Sequence, residues 1–215
     1  MKKIFAIGFN KTGTSSLYFL FNTLEIKSTH DCSNRQVLTI IDEYDAFTDG
    51  EHINFLEYYK KYPDSLFILN TRPMKNWLIS RYKHGEHHNF NNCWCWPVSE
   101  EKTNAWFITR ETHHKNVLDF FENKPDNLLI INIEKNGWED VVIKYLQNFN
   151  NIKKDENINN IKIHHNKRDN IRIDCEKLNL IFSNVTIFLI NRNYCENELL
   201  FQGFNKINYN FNMFL

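Results

Sequence analysis

The stretch AIGFNKTGTSSL, residues 6–17, places a lysine, a glycine and several hydroxyl side chains directly after an apolar run. Backbone N–H groups at a helix N-terminus, together with a nearby lysine, bind phosphate oxygens in glycine-rich loops. The order differs from the nucleoside-triphosphate loop G-x-x-x-x-G-K-[ST], because Lys11 precedes Gly13 instead of following it. The sequence therefore predicts a loop for another phosphate-bearing ligand. The alternative is that the hydroxyl residues only cap a helix. The candidate binding residues are Lys11, Thr12, Gly13, Thr14, Ser15 and Ser16.

The elements that must position this loop are a strand before it and a helix after it. Residues 2–9 are mostly apolar, as in a parallel strand that is covered on both faces. From Thr14 onward, apolar residues recur at helical spacing. They are Leu17, Leu20, Phe21 and Leu24.

Two further apolar runs, residues 65–71 and 127–134, each precede a helical pattern. Strands that alternate with helices indicate βαβ units, so we predict an α/β fold with a mostly parallel sheet. In such sheets ligands bind beyond the carboxyl ends of the strands. Lys11, Arg72 and Glu134 all fall at or just after such ends.

The composition limits the classes of partner. Lys plus Arg and Asp plus Glu number 26 each, so no overall basic field favours nucleic acid or an anionic membrane. No apolar run is long enough for a bilayer span, and the N-terminus lacks the pattern of a signal peptide, so we expect a cytoplasmic protein. The cysteines are odd in number and scattered, which favours reduced thiols. They are Cys32, Cys93, Cys95, Cys175 and Cys195.

A Mg²⁺-dependent kinase or NTPase is the main alternative for such a loop. Two features count against it: the lysine is out of order, and the strand LFILNT ends in Asn-Thr-Arg where an aspartate would hold Mg²⁺. A catalytically inactive nucleotide-binding module is a third possibility, because the sequence does not single out one residue that would remove a proton from an acceptor.

Three motifs, in consistent order over about residues 3–169, resemble the sulfotransferase family. IGFNKTGTSSLYFLF is similar to the loop that binds the 5′-phosphosulfate of 3′-phosphoadenosine-5′-phosphosulfate, particularly to that of heparan sulfate N-sulfotransferase domains. TRPMKNWLIS resembles the 3′-phosphate signature, an arginine at a strand end followed by a serine; here they are Arg72 and Ser80, with Trp77 between them. The closing strand, helix and HHNKRD segment resemble those of small soluble sulfotransferase-like proteins.

The resemblance implies a P-loop-NTPase-like fold and the transfer of a sulfuryl group to a small-molecule or glycan acceptor, at a hydroxyl or an amine, without a metal. It implies that Lys11 stabilises the leaving phosphate oxygen, and that the amides of residues 12–16 hold the 5′-phosphate. Arg72 and Ser80 would hold the 3′-phosphate, with Lys167 and Arg168 reaching it from a closing loop. A surface ion pair is the alternative for Arg72.

An acceptor hydroxyl also needs a base, and the family often places a Glu or His after the second strand. The segment STHDCS occupies that place. Histidine suits the role because its ordinary charge change lies near neutral pH. The candidates, in order of preference, are His30, Asp49 and Asp31.

A zinc site is the other chemistry that the sequence suggests, in the segment from residue 84 to residue 106. Its cysteines are only one residue apart, whereas structural zinc sites favour C-x₂₋₄-C, so we predict no metal. The ligands would have been His84, His87, His88, Cys93 and Cys95. For domains, we predict a sulfotransferase-like domain over residues 1–170 and an extension over residues 171–215.

Overall fold

The computed structural model describes residues 2–30, 32, 34–50, 53–87, 98–148 and 175–192. Three predicted site residues, Asp31, Lys167 and Arg168, lie outside these ranges, as do His88, Cys93 and Cys95 of the zinc alternative.

Over residues 4–87 the described strands and helices alternate. The strands are β1 (Ile4–Ala6), β2 (Ser28–Thr29), β3 (Ala46–Phe47), β4 (Leu66–Thr71) and β5 (Leu128–Asn132). The helices are α1 (Thr14–Thr23), α2 (Asn34–Ile40), α3 (Phe55–Lys61), α4 (Met74–His87), α5 (Glu100–Phe121), α6 (Trp138–Asn148) and α7 (Cys175–Asn191).

The strands form one parallel five-stranded sheet in the order β2-β3-β1-β4-β5. The pairing places Ile4 of β1 between Ala46 of β3 and Leu66 of β4. The prediction of an α/β fold with a mostly parallel sheet is therefore confirmed. Because every strand runs in the same direction, the loops after β1, β2, β3, β4 and β5 all leave the same edge of the sheet.

Burial explains why these segments form a central sheet. All residues of β1 and β4 are buried, as expected for parallel strands that are covered on both faces. The ring of Phe5 stacks on Phe47 and Phe67, with centroids 5.4 Å and 5.3 Å apart. The predicted face of α1 is buried against the sheet, including Leu17, Leu20 and Phe21.

The chain divides into two compact units. The first contains residues 1–72 and 126–167, and therefore the whole sheet with α1, α2, α3 and α6. The second contains residues 73–125 and 168–215, and its described helices are α4, α5 and α7. The domain division at residue 170 falls in the undescribed stretch 149–174 and stays a prediction.

In the second unit, two arginine side chains lie against the ring of Trp77. Trp77 is fully buried, and the guanidinium groups of Arg81 and Arg110 each lie 5.0 Å from the centroid of its ring.

Over the residues that the structure describes, no helix is both long and apolar enough to cross a bilayer.

Candidate functional site

The loop between β1 and α1 has a backbone that only certain residues tolerate. Lys11 and Gly13 both have positive φ, 65° and 83°. A Cβ at Gly13 would also lie 2.8 Å from Cγ2 of Ile133, so both the dihedral angle and the packing require glycine there. Lys11 holds a conformation that costs a lysine free energy, and the surrounding contacts must stabilise it.

The N-terminus of α1 is not capped by a side chain. Its N-cap is Gly13, which makes no side-chain hydrogen bond, and the first turn contains no acidic residue. The first N–H groups of a helix have no intrahelical acceptor and carry the positive end of the helix dipole. This terminus therefore has the groups that an anion requires. Thr14 is buried there, whereas Ser15 and Ser16 are partly exposed.

Thr12 is fully buried, and its donors are used within the loop. Its hydroxyl donates to the Phe9 carbonyl at 2.5 Å and accepts from Nδ2 of Asn70 at 2.7 Å, while its N–H donates to the same carbonyl at 3.3 Å. These contacts show that Thr12 maintains the shape of the loop. Its direct contact with a ligand stays a prediction.

Arg72 follows β4 and contacts both the loop and the strand beyond. Its Nε donates to Oε1 of Glu134 at 2.5 Å, and its NH1 donates to the Lys11 carbonyl at 3.3 Å. The ion pair is half-buried, with the two side chains 26% and 28% exposed. The structure thus brings together the three residues predicted at strand ends, and it shows the ion pair that was the alternative for Arg72.

His30 follows β2 and lies against the first turn of α1. Its Nε2 is 3.1 Å from the Ser15 hydroxyl, and its Nδ1 is 2.9 Å from the Thr48 hydroxyl. The Thr48 hydroxyl donates to the Thr29 carbonyl at 3.2 Å, so it accepts from Nδ1–H. The consistent assignment leaves Nε2 as the acceptor for the Ser15 hydroxyl.

Asp49, the second candidate base, follows β3 with a φ of 65°. Its Oδ1 atom is buried and accepts no hydrogen bond. A positive φ on an aspartate and a carboxylate oxygen without a hydrogen bond are both costly, and such features cluster at functional sites.

Ser80 lies on α4 in the second unit and is partly buried. His84, one of the residues considered for zinc, lies on the same helix. Among all the residues that the structure describes, no group of three or more His, Cys, Asp or Glu could hold a metal ion. The residue that sequence reasoning undervalued is Asn70. Its signal in the sequence is a polar side chain directly after the apolar run LFIL, at a position that was weighed only for the absence of an aspartate.

Comparison with known families gives one match. Residues 31–110 match a family described as a sulfotransferase domain. The matched residues include Asp49, Arg72 and Ser80, and they begin after the loop that holds Lys11. A search of curated proteins found no match. The family match confirms the resemblance that the motifs indicated, and it supports a sulfotransferase family for this chain.

Proposed function

We propose that this protein, as a member of a sulfotransferase family, transfers a sulfuryl group from 3′-phosphoadenosine-5′-phosphosulfate to a hydroxyl or amine of a small-molecule or glycan acceptor. The observation that carries the proposal is the uncapped N-terminus of α1, which follows Lys11 at the carboxyl edge of the sheet. Arg72 lies next to it, with its guanidinium on the Lys11 carbonyl.

The residues present fit such a donor. A phosphosulfate is anionic, and the first turn of α1 offers N–H groups and the hydroxyls of Ser15 and Ser16 without any competing carboxylate. A second phosphate group requires a second cation, and Arg72 supplies a planar fork that matches phosphate oxygens. Binding there competes with Glu134 for Nε or uses other N–H donors of the guanidinium, which has five.

When bound, the donor supplies an SO₃ group: its bond to the phosphate oxygen breaks with the electron pair leaving on that oxygen, as the acceptor atom bonds to sulfur and gives up its proton. The chain's part is to position and to neutralise. Lys11 belongs to this loop, and we assign to its ammonium group the neutralisation of the negative charge that develops on the leaving oxygen.

The acceptor's proton goes to a base, and we rank His30 ahead of Asp49. Nε2 of His30 is the hydrogen-bond acceptor and lies 3.1 Å from Ser15 in the same loop. If the Ser15 hydroxyl turns to the phosphate, Nε2 becomes available to the acceptor hydroxyl. Because the base takes the acceptor's proton, His30→Gln should lower the rate of sulfuryl transfer far more than it weakens donor binding. If His30→Gln transfers at nearly the wild-type rate and Asp49→Asn does not, Asp49 is the base.

The donor is tested with adenosine 3′,5′-bisphosphate, the product that the proposed donor leaves. In EDTA we expect this nucleotide to raise the melting temperature, since a ligand that binds only the folded state adds about 2.7 kcal/mol at a hundredfold excess over Kd. Arg72→Ala should remove most of the preference for the bisphosphate over adenosine 5′-monophosphate, which has no 3′-phosphate. Arg192→Ala, an arginine of the second unit that bonds Asn104, is the control and should keep that preference.

The opposite result is equally clear. Stabilisation by ATP that depends on Mg²⁺, together with indifference to the bisphosphate, would overturn the sulfotransferase proposal and favour a kinase. If the bisphosphate binds but no acceptor in a panel of alcohols, phenols, amines and glycans is sulfated, the chain is a nucleotide-binding module.

A further inference from the structure

Asn70 lies at the centre of the contacts that shape the phosphate loop. It is fully buried near the end of β4, between Leu69 and Thr71. Its Oδ1 accepts from the Gly8 N–H at 3.0 Å. Its Nδ2 donates to the carbonyl of Thr12 at 3.1 Å and to the hydroxyl of Thr12 at 2.7 Å.

One amide side chain thus joins both ends of the loop. Gly8 leaves β1, and Thr12 immediately precedes Gly13, the N-cap of α1. The approach is close: a Cβ on Gly8 would lie 2.1 Å from the Asn70 carbonyl oxygen, so glycine is required at that position. The Thr12 hydroxyl then passes the connection on to Phe9.

We propose that Asn70 is a positioning residue for the donor site, acting through Thr12 to hold Lys11 and Gly13 in their left-handed conformations. This inference rests on the proposed function. The Lys11 backbone is unfavourable for a lysine, and Thr12 is the residue that follows it, so fixing the carbonyl and hydroxyl of Thr12 fixes the peptide that Lys11 forms. The Asn70 amide supplies both an acceptor and two donor contacts, a combination that neither aspartate nor leucine can supply.

The second anchor of the loop is Arg72, which directly follows the same strand. It donates to the Lys11 carbonyl and stands two residues after Asn70, whose side chain donates to the Thr12 carbonyl. Two consecutive carbonyl groups of the loop are therefore held by the end of β4. With their oxygens held, the loop N–H groups and the Lys11 side chain need less reorganisation when an anion binds, which lowers the free-energy cost of binding.

A control position lies at the amino edge of the sheet, where Asn127 is partly exposed. Nδ2 of Asn127, just before β5, donates to the carbonyls of Pro63 and Ser65 at 3.2 Å and 2.9 Å. Like Asn70, Asn127 joins two segments that are distant in sequence, here the residues before β5 and the residues before β4. It lies at the amino edge, where a parallel sheet does not bind its ligands.

The experiment compares Asn70→Asp with Asn127→Asp. The Asn70→Asp carboxylate still accepts from Gly8 but loses both donor contacts and faces the Thr12 carbonyl oxygen. We expect calorimetry in EDTA to show that adenosine 3′,5′-bisphosphate binds about tenfold or more weakly to Asn70→Asp, and within about twofold of wild type to Asn127→Asp. Hydrogen exchange of residues 8–13 in the ligand-free protein should accelerate only in Asn70→Asp.

A second pair keeps the test decisive if Asn70→Asp does not fold. Thr12→Val keeps the shape of the side chain but removes the hydroxyl that links Asn70 to Phe9, whereas Thr12→Ser retains it. Weak binding and fast exchange in Thr12→Val, with both restored in Thr12→Ser, support the proposal. Binding and exchange equal to wild type in folded Asn70→Asp, or in Thr12→Val, overturn it. Failure of the wild-type protein to bind the bisphosphate counts against the proposed function alone, because the exchange measurement needs no ligand.

Discussion

Helices α1 and α5 begin in opposite ways, although both present the same N–H groups at their first turns. At α5, in the second unit, the Ser99 hydroxyl accepts from the Lys102 N–H at 3.2 Å, and Glu100 and Glu101 add negative charge to the first turn. At α1 the N-cap is Gly13, with no side-chain cap and no acidic residue. Helix α5 thus satisfies its N-terminus with its own side chains, whereas the N-terminus of α1 is left to interact with a ligand.

The comparison of α1 with α5 indicates which features mark an anion site at a helix terminus. A hydroxyl-rich start alone does not distinguish the two, since Ser99 at α5 is a cap, whereas Ser15 at α1 is bonded to His30. The distinguishing features at α1 are the left-handed glycine, the absence of carboxylates and a lysine two residues upstream. A helix that starts in this way forgoes some stability at its N-terminus, which a bound anion would restore.

The largest effect should come from removing the cation at α1. Lys11→Ala should lower the rate of sulfuryl transfer by about 10²–10³-fold, because a contact that stabilises developing charge on the leaving oxygen contributes that much to catalysis. The bisphosphate Kd should change far less. Steady-state kinetics together with calorimetry separate the two effects, and Lys115→Ala, an exposed lysine of α5, is the control. Transfer at nearly the wild-type rate in Lys11→Ala would remove this residue from the mechanism.

A smaller effect should follow from giving α1 the charge pattern of α5. Ser16→Glu puts a carboxylate in the first turn of α1, where it should stabilise the helix by about 0.3–1 kcal/mol. The same charge should repel the bisphosphate and raise its Kd by about tenfold. Melting temperature without ligand and calorimetry with ligand test both halves, and Ser16→Gln matches the size without the charge. Equal loss of binding in the two variants would mean that shape, not charge, excludes the ligand.

A histidine of α5 should make the stability of the protein depend on pH. His114, on α5, is partly buried, and its Nε2 atom is shielded from solvent and makes no hydrogen bond. Burial lowers the pKa of His114 well below 6.5, and Arg110 and His113 lower it further. Below pH 6.5 the unfolded chain therefore binds a proton that the folded chain does not, so stability is present above that pH and falls as the pH drops.

The expected slope is at most about 1.4 kcal/mol of unfolding free energy per pH unit, since one proton is involved. Urea unfolding at a series of pH values between about 5 and about 7 measures it. His114→Leu should flatten the slope and His113→Gln should leave most of it. A slope that is unchanged in His114→Leu would assign the acid sensitivity to other groups.

The sequence predicted the parts of the fold whose apolar patterns are long. Strands β1, β4 and β5 and helices α1, α4 and α6 all lie where apolar runs or helical spacing indicated them. Strands β2 and β3 were not predicted, because each has two residues and too few positions to show an alternating pattern.

Helix α5 was not predicted either, for a different reason. Its buried positions include Thr103, Arg110, Val117 and Phe121, which follow a helical spacing. Two of these four are polar, so a search for apolar residues at that spacing finds only half of the buried face. Burial of Thr103 is possible because its hydroxyl bonds the Ser99 carbonyl at 2.7 Å, a contact that sequence spacing does not reveal.

The candidate site was predictable in its composition but not in its connections. Lys11, Gly13 and Arg72 stand out because loop and strand-end positions can be read from the sequence. The contacts of Asn70 with Gly8 and Thr12 join residues about sixty positions apart, and such pairs depend on the register between β1 and β4. The same holds for His30, whose partner Thr48 follows a strand too short to be predicted.

The smallest effect should come from uncapping α5 so that it resembles α1. Ser99→Ala removes the acceptor for the Lys102 N–H and should cost about 1 kcal/mol of unfolding free energy, whereas Ser99→Gly, which gives α5 the N-cap residue of α1, should cost only a few tenths. Urea unfolding at neutral pH measures both. Neither variant should change the bisphosphate Kd, because Glu100 and Glu101 still occupy the first turn of α5. In addition, α5 has no lysine two residues before its N-cap, the position that Lys11 holds at α1. If Ser99→Ala weakened bisphosphate binding by as much as Ser16→Glu, the contrast would be wrong, because the N-terminus of α5 would then also contribute to binding the anion.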